Sequence, residues 1–429
     1  MNVIKTICLR WKEFAAAALA GALAAAPITA SGQAKPAELK IAVVQFMSGA
    51  GAPHDASSVN TAKLLADKFN AQGGIAGVKL NMLYLDEAGS TADKVTEFRR
   101  LVQDEKVQMV FGYTSSANCL GIAPVAEELR TLAIFHVCAN YRLFEKGTYK
   151  YVVRTAAHSV SENVSAALYV LSLKPDLKTI AGMNYDYAYG RDSWDVFKRA
   201  VQKLKPDVQV VGELWTKFLA TEYSAEVSRL LVLKPDVIHT VNWGAGLSAF
   251  ANQAEPRGLF QSSLVVVTTG LLAQAESLPK GVAFSGRGYH PQHPDPATHA
   301  GNREYLTEYS KRFNAAPDYQ GTFMAQAFYG LKAALEKAVK QKNGGWPSNE
   351  EIGRAFENLS FDTPRGPVLV HQDHDAYHDS MWGLTSGKKH PVYGYPILDQ
   401  FRVFPAEQVN APVGMKTVDW IESWPSKKR

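Results

Sequence analysis

The chain has 429 residues, of which 46% are hydrophobic, 20% charged and 10% aromatic, and its formal net charge is +5. That composition excludes a disordered chain, a collagenous repeat and a coiled coil, and at roughly 100–200 residues per domain the length asks for about two or three domains. So small a charge on so long a chain gives no polyphosphate footprint, and nucleic acid is not an expected partner. No apolar run approaches the roughly eighteen residues a spanning helix needs.

Lys5, Arg10 and Lys12 precede an apolar run from Phe14 to Ala26. That pattern fits the core of a secretory signal and is too short for a bilayer. Pro27 disfavours a cut after Ala26, so residues 1–34 read as a signal peptide cleaved after Ala30 or Ala34, with a soluble mature protein in the periplasm. The rival reading, a buried Ala-rich helix, is broken by Pro27 and Gly32. Cys8 lies ahead of the apolar run, which leaves Cys119 and Cys138 in the mature chain. An oxidising compartment permits a bridge between them, but spacing alone does not fix it.

Beyond the signal, apolar strand-length runs alternate with amphipathic stretches. Leu39–Phe46 is predicted as a strand, Ser57–Gln72 as a helix ended by Gly73 and Gly74, Val78–Leu85 as a strand and Thr91–Asp104 as a helix. Strands Val107–Phe111 and Leu132–His136 flank a helix over Ala117–Leu129. This βαβ alternation calls for an α/β fold, a parallel sheet covered on both faces. A second series follows, in which Lys-Pro-Asp turns at 174–176, 205–207 and 234–236 each close a helical stretch and open a strand: Leu177–Met183, Val208–Leu214 and Val237–Val241. Helices are predicted over Asn302–Phe313, Thr322–Lys340 and Glu350–Asn358, then short strands at 368–370, 381–387 and 401–404. Two lobes follow, 38–157 with 286–367, and 158–285 with 368–429.

Catalytic motifs are absent: there is no GxSxG elbow, no GxxxxGK[ST] loop and no HExxH helix. Gly244-Ala245-Gly246 lacks the third glycine of a dinucleotide fingerprint and reads as a tight turn. His371, His374 and His378, with Asp373, Asp375 and Asp379, have the chemistry of zinc ligands but sit in a polar turn and read as a solvated loop. His290, His293 and His299 alternate with prolines as a surface loop. No metal and no cofactor is expected.

In open parallel sheets, ligands bind beyond the carboxyl ends of the strands. Gly112-Tyr-Thr-Ser-Ser-Ala-Asn118 joins a strand end to a helix start, where Ser115, Ser116 and exposed amides suit a carboxylate. A plain serine cap fits the same residues. The later strand ends run through Val137–Asn140, Asn184–Gly190 and Asn242–Gly244, and their tyrosines and tryptophan read as cleft walls.

IAVVQFMSGAGAPH, FNAQGGIAGVKLNMLYLDEAGSTADKV, VQMVFGYTSSA, the Asp186–Gly190 segment, LKPDVIHTVNW and FDTPRGPV together resemble the branched-chain amino acid (leucine/isoleucine/valine) type of periplasmic binding protein. The resemblance covers almost the whole mature chain. It implies two Rossmann-like lobes joined by a three-crossing hinge, closing on a small solute for the membrane permease of an ABC importer. It further implies a carboxylate contact from Ser116, backbone contacts at Cys138, a polar contact from Asn140, and aromatic contacts from Tyr189 and Trp243. His54 falls where a first-loop wall stands, and Phe323 is expected from the opposite side. One departure bears on the ligand. Amino-acid-binding members carry an acid after the strand matching Leu264–Val267, and this chain has Thr268-Thr269-Gly270. An unpartnered buried ammonium costs several kcal/mol, so an organic or aromatic acid competes with an amino acid, unless Asp186 serves as the acid. The alternatives are a ligand-sensing module of the same fold and, with no nucleophile motif in its favour, an exported hydrolase.

Overall fold

The computed structural model describes residues 34–285, 287 and 300–425. The expected signal segment, apart from Ala34, and His290, His293 and His299 lie outside the described residues.

Strands β1 (Glu38–Gln45), β2 (Lys79–Asp86), β3 (Met109–Gly112), β4 (Leu132–Phe135) and β5 (Val152–Arg154) form a parallel sheet in the order β2-β1-β3-β4-β5. Successive side chains of a strand point to opposite faces. Ile41 and Val43 accordingly enter the core beneath helices Ala52–Ala71 and Tyr319–Gln341, whereas Ala42 and Val44 enter the one beneath Thr91–Gln103 and Ser116–Leu129. A sheet buried on both faces is why β1 is apolar without a break from Ile41 to Val44.

The second lobe repeats the plan with β6 (Thr179–Tyr185), β7 (Gln209–Thr216), β8 (Val237–Thr240), β9 (Leu264–Val267) and β10 (Ala283–Phe284). Strands β11 (Leu359–Thr363), β12 (Gly366–Val370) and β13 (Ala376–Tyr377) make a small antiparallel sheet. Strands β14 (Ser380–Lys389) and β15 (Pro396–Phe404) then complete a seven-stranded sheet, β15-β14-β10-β9-β8-β6-β7, in which β14 pairs antiparallel with both β10 and β15.

The chain passes between lobes after β5, after β10 and after β13. The last passage lies beyond the 367/368 boundary read from sequence. Val368, Val370 and Ala376 are buried in the first lobe's core with Phe361, and a short apolar run does not disclose which sheet it joins. Two helices also begin earlier than their periodicity suggests. One starts at Ala52, because Pro53 fits a first turn whose N–H groups need no partner. The other starts at Tyr319. Those extra residues, His54 and Asp55 in one and Tyr319 and Gln320 in the other, lie at the cleft.

Candidate functional site

Glu87 follows β2 and is fully buried. Its carboxylate accepts the N–H groups of Thr114 (2.7 Å) and Ser115 (2.8 Å) and the amide of Asn118 (2.9 Å). Two of the strand-to-helix amides that the sequence offered to a ligand anion, those of Thr114 and Ser115, are thus filled from within the chain. Burial, reinforced by the nearby Asp55, outweighs those three hydrogen bonds and lifts the Glu87 pKa to about 8. Ser115 stands at the N-cap without a side-chain capping bond, and Ser116 opens the helix and lines the cavity between the lobes.

The first turn of helix Ala52–Ala71 sets the adjoining wall. Asp55 accepts the Phe46 N–H and the Thr114 hydroxyl, each at 2.8 Å, and its other oxygen lies 2.8 Å from His54 Nδ1. Burial lowers the His54 pKa, so the ring is neutral at pH 7. Its Nε2 is 2.6 Å from the Tyr319 hydroxyl.

From the second lobe come Tyr187 and Tyr189 after β6, Trp243 after β8 and Thr269 after β9. The Trp243 indole donates to the Tyr187 oxygen (2.9 Å), Tyr189 donates to Glu162 (2.6 Å), and Thr269 donates to the Asn242 carbonyl (3.2 Å). The His54 and Trp243 rings meet across the cleft with centroids 4.5 Å apart. Arg287, on the crossing after β10, completes the lining. Its Nε donates to Glu162 (2.6 Å), and its two Nη atoms donate to the carbonyls of Val137 and Ala157, each at 2.9 Å.

His54, Ser116, Tyr189, Trp243 and Thr269 therefore converge. The other residues singled out from sequence do not line the cavity. Ser115 is occupied with Glu87. Cys138 turns into the first lobe's core between the lining residues Val137 and Ala139. The Asn140 amide donates to Asp192 at 2.5 Å. Phe323 sits behind the wall, 5.2 Å from the Arg287 guanidinium. Asp186 departs furthest from expectation: its side chain is 52% exposed and bonds Arg191 at 2.8 Å. It is the neighbouring Tyr187 and Tyr189 that line the cavity.

Tyr319 and Arg287 escaped the sequence reading, and Thr114 entered it only as part of the Gly112–Asn118 stretch. Tyr187 lay within a quoted strand end, but Tyr319 and Arg287 follow no strand of the first series and carry no motif. Cys119 and Cys138 are free, buried thiols. The expected solvated loop at 371–379 is in part buried: Asp375 is held by both ends of the Arg154 guanidinium, His374 Nδ1 lies 3.1 Å from the Val152 carbonyl, and His378 Nε2 lies 3.0 Å from that of Thr155. Among the described residues no cluster of His, Cys, Asp or Glu is arranged to hold a metal.

A family model described as periplasmic binding protein matches residues 38–389. The Leu/Ile/Val-binding protein of Escherichia coli is 27% identical over 358 residues, which is 82% of this chain and 91% of the relative. The leucine-specific-binding protein of Salmonella typhimurium is 28% identical over 226 residues, 52% of this chain, and the match spans only 59% of that relative's length. Among solved structures, a solute binding protein of an ABC transporter from Rhodopseudomonas palustris, in complex with 3,4-dihydroxy benzoic acid, superposes with a TM-score of 0.74. The superposition covers 88% of this chain and 99% of that one at 20% identity, a likeness of fold.

Proposed function

The chain belongs to the periplasmic binding protein family, and we propose that it is the solute-capturing component of an ABC importer, closing in the periplasm on a small solute that carries a carboxylate but needs no α-ammonium. The observation that carries this reading is the charge of the cavity. Among the described lining residues Arg287 bears the one full charge, and its partner Glu162 stands behind the wall, so that no carboxylate lines the cavity. Three of the five guanidinium N–H groups are engaged by Glu162, Val137 and Ala157, which leaves two for an anion. Ser116 adds a hydroxyl. An ammonium would enter beside Arg287 with no acid to receive it, at a cost of several kcal/mol.

Tyr187, Tyr189, Trp243 and His54 supply flat walls on which a branched or aromatic body packs. In this reading the protein binds and releases its solute unchanged. Its partner is the membrane permease. Among the described residues no helix is long and apolar enough to cross a membrane.

Thermal melting tests the proposal. A ligand confined to the folded state stabilises it by about 2.7 kcal/mol at a hundredfold excess over Kd, enough to move the melting temperature by a few degrees. Leucine is to be set against its 2-oxo analogue, and phenylalanine against phenylpyruvate and benzoate. The acids are expected to raise the melting temperature. A rise with the amino acids alone would overturn the proposal.

A further inference from the structure

We propose that Cys119 and Cys138 are joined by a disulfide in the mature protein, and that the bridge ties together two neighbouring strand-end segments of the cavity wall. For its oxidising surroundings the proposal rests on the periplasmic reading above. For the pairing itself it rests on the fold.

β3 and β4 are adjacent parallel strands with Gly112 opposite Phe135, and strands so paired run about 4.8 Å apart. The chain leaves both at the same end, where the His136 N–H donates to the Gly112 carbonyl at 3.2 Å. From β3 it enters helix Ser116–Leu129, whose first turn carries Cys119. From β4 it runs through Val137 and Cys138 to Ala139. Both cysteine side chains turn into one core, beside Tyr113 and Phe135, and neither has exposed surface. There the two thiols meet and share a hydrogen bond. Close backbones and facing sulfurs are the two conditions a bridge imposes.

The chemistry is thiol–disulfide exchange with a small-molecule or protein disulfide of the compartment. One cysteine, as its thiolate, attacks a sulfur of the oxidant and expels the other sulfur as a thiolate. The second cysteine gives up its proton, displaces the oxidant's remaining half and closes the bridge. Two cysteine thiols lose two electrons and two protons, and the oxidant leaves as two thiols. Because both sulfurs are buried in the folded protein, the oxidant reaches them while the chain folds. Ser116 lies on the same helical turn as Cys119, while Val137 and Ala139 flank Cys138, and all three line the cavity. The bridge therefore fixes the helix start against the β4 end on the face that meets the solute.

Intact mass after unfolding in guanidinium with iodoacetamide tests the pairing. It is read on protein expressed with its leading segment and on mature chain refolded in mixed oxidised and reduced glutathione. Both samples are expected to lack alkyl groups on Cys119 and Cys138 until dithiothreitol is added, and peptide mapping should join the two residues. Free thiols in the refolded sample, or in an expressed chain that has lost its leading segment, would overturn the proposal. An expressed chain that keeps that segment and its free thiols, beside a bridged refolded one, would count against export and leave the pairing standing. The tie is read from melting. Closing a loop of about twenty residues should raise the melting temperature by several degrees over the reduced protein and over a variant with Cys119→Ser and Cys138→Ser. The reduced parent suffices if that variant fails to fold. A bridged protein that melts with its reduced form would overturn the tie.

Discussion

Glu87 is a carboxylate with no exposed surface whose three partners all donate to it. Its neighbour Asp55 also accepts at every contact, so the two acids stand close with no cation between them. Burial and that proximity raise the Glu87 pKa from 4.5 to about 8. Burial alone lifts Asp318, whose single backbone partner is the Leu272 N–H, to about 7. Such groups hold their protons in the folded protein after the unfolded chain has released them. Their contribution to stability is complete below about pH 4 and is lost as pH rises toward 7 and 8. One proton is worth at most about 1.4 kcal/mol per pH unit. The buried histidines His54, His136, His158, His239 and His378, whose pKa values burial lowers, act in the opposite sense up to about pH 6.5. It is therefore urea unfolding between about pH 7 and 8 that should show stability falling with pH, and Glu87→Gln, which cannot titrate, should flatten that slope whatever it does to absolute stability. An unchanged slope in that variant would remove Glu87 from the account.

The elements meet at the crossings, and two buried ion pairs fasten the crossings to one another. Arg154 ends β5, just before the first passage, and clamps Asp375, just before the third. Arg287 on the second passage clamps Glu162, just after the first. The remaining Arg154 nitrogen reaches the Asn140 carbonyl at 2.6 Å, next to the cavity-lining Val137 and Ala139. Breaking one partner of a buried pair leaves the other charge unmatched and costs about 3–5 kcal/mol, whereas replacing both by apolar groups is often neutral. Arg154→Met is expected to destabilise by that amount, and Arg154→Met with Asp375→Leu to recover most of it in a denaturant series. A double variant as unstable as the single one would mean that the guanidinium's bond to Asn140, and not the ion pair, holds the hinge.

At the scale of the molecule, what could be read from sequence follows from how each residue reaches the cleft. Ser116, Tyr189, Trp243 and Thr269 stand at or just past strand ends, and the parallel-sheet rule finds such positions without a structure. Arg287 and Tyr319 arrive on a crossing and on the start of a late helix, so only the meeting of the lobes places them. Asp186 was misjudged by a turn, because it lies one residue before the ring that faces inward and its carboxylate points to solvent. Gly244 belongs to the same closing geometry. The sequence reads it as half of a tight turn, and the turn is there, with a φ of 61°. A Cβ on Gly244 would also lie 3.0 Å from the Ala50 carbonyl and 3.8 Å from the His54 Cβ, both in the opposite lobe. The glycine thus lets the second lobe seat against the first beside the His54–Trp243 contact. Gly244→Val should destabilise the isolated protein by only about 1–2 kcal/mol through its backbone angle, yet hold the lobes apart. The expected signature in X-ray scattering is a parent that contracts when a tight-binding acid is added and a variant that does not, with weakened affinity to match. A variant that contracts and binds like the parent would show that closure tolerates a side chain there and that the turn alone requires the glycine.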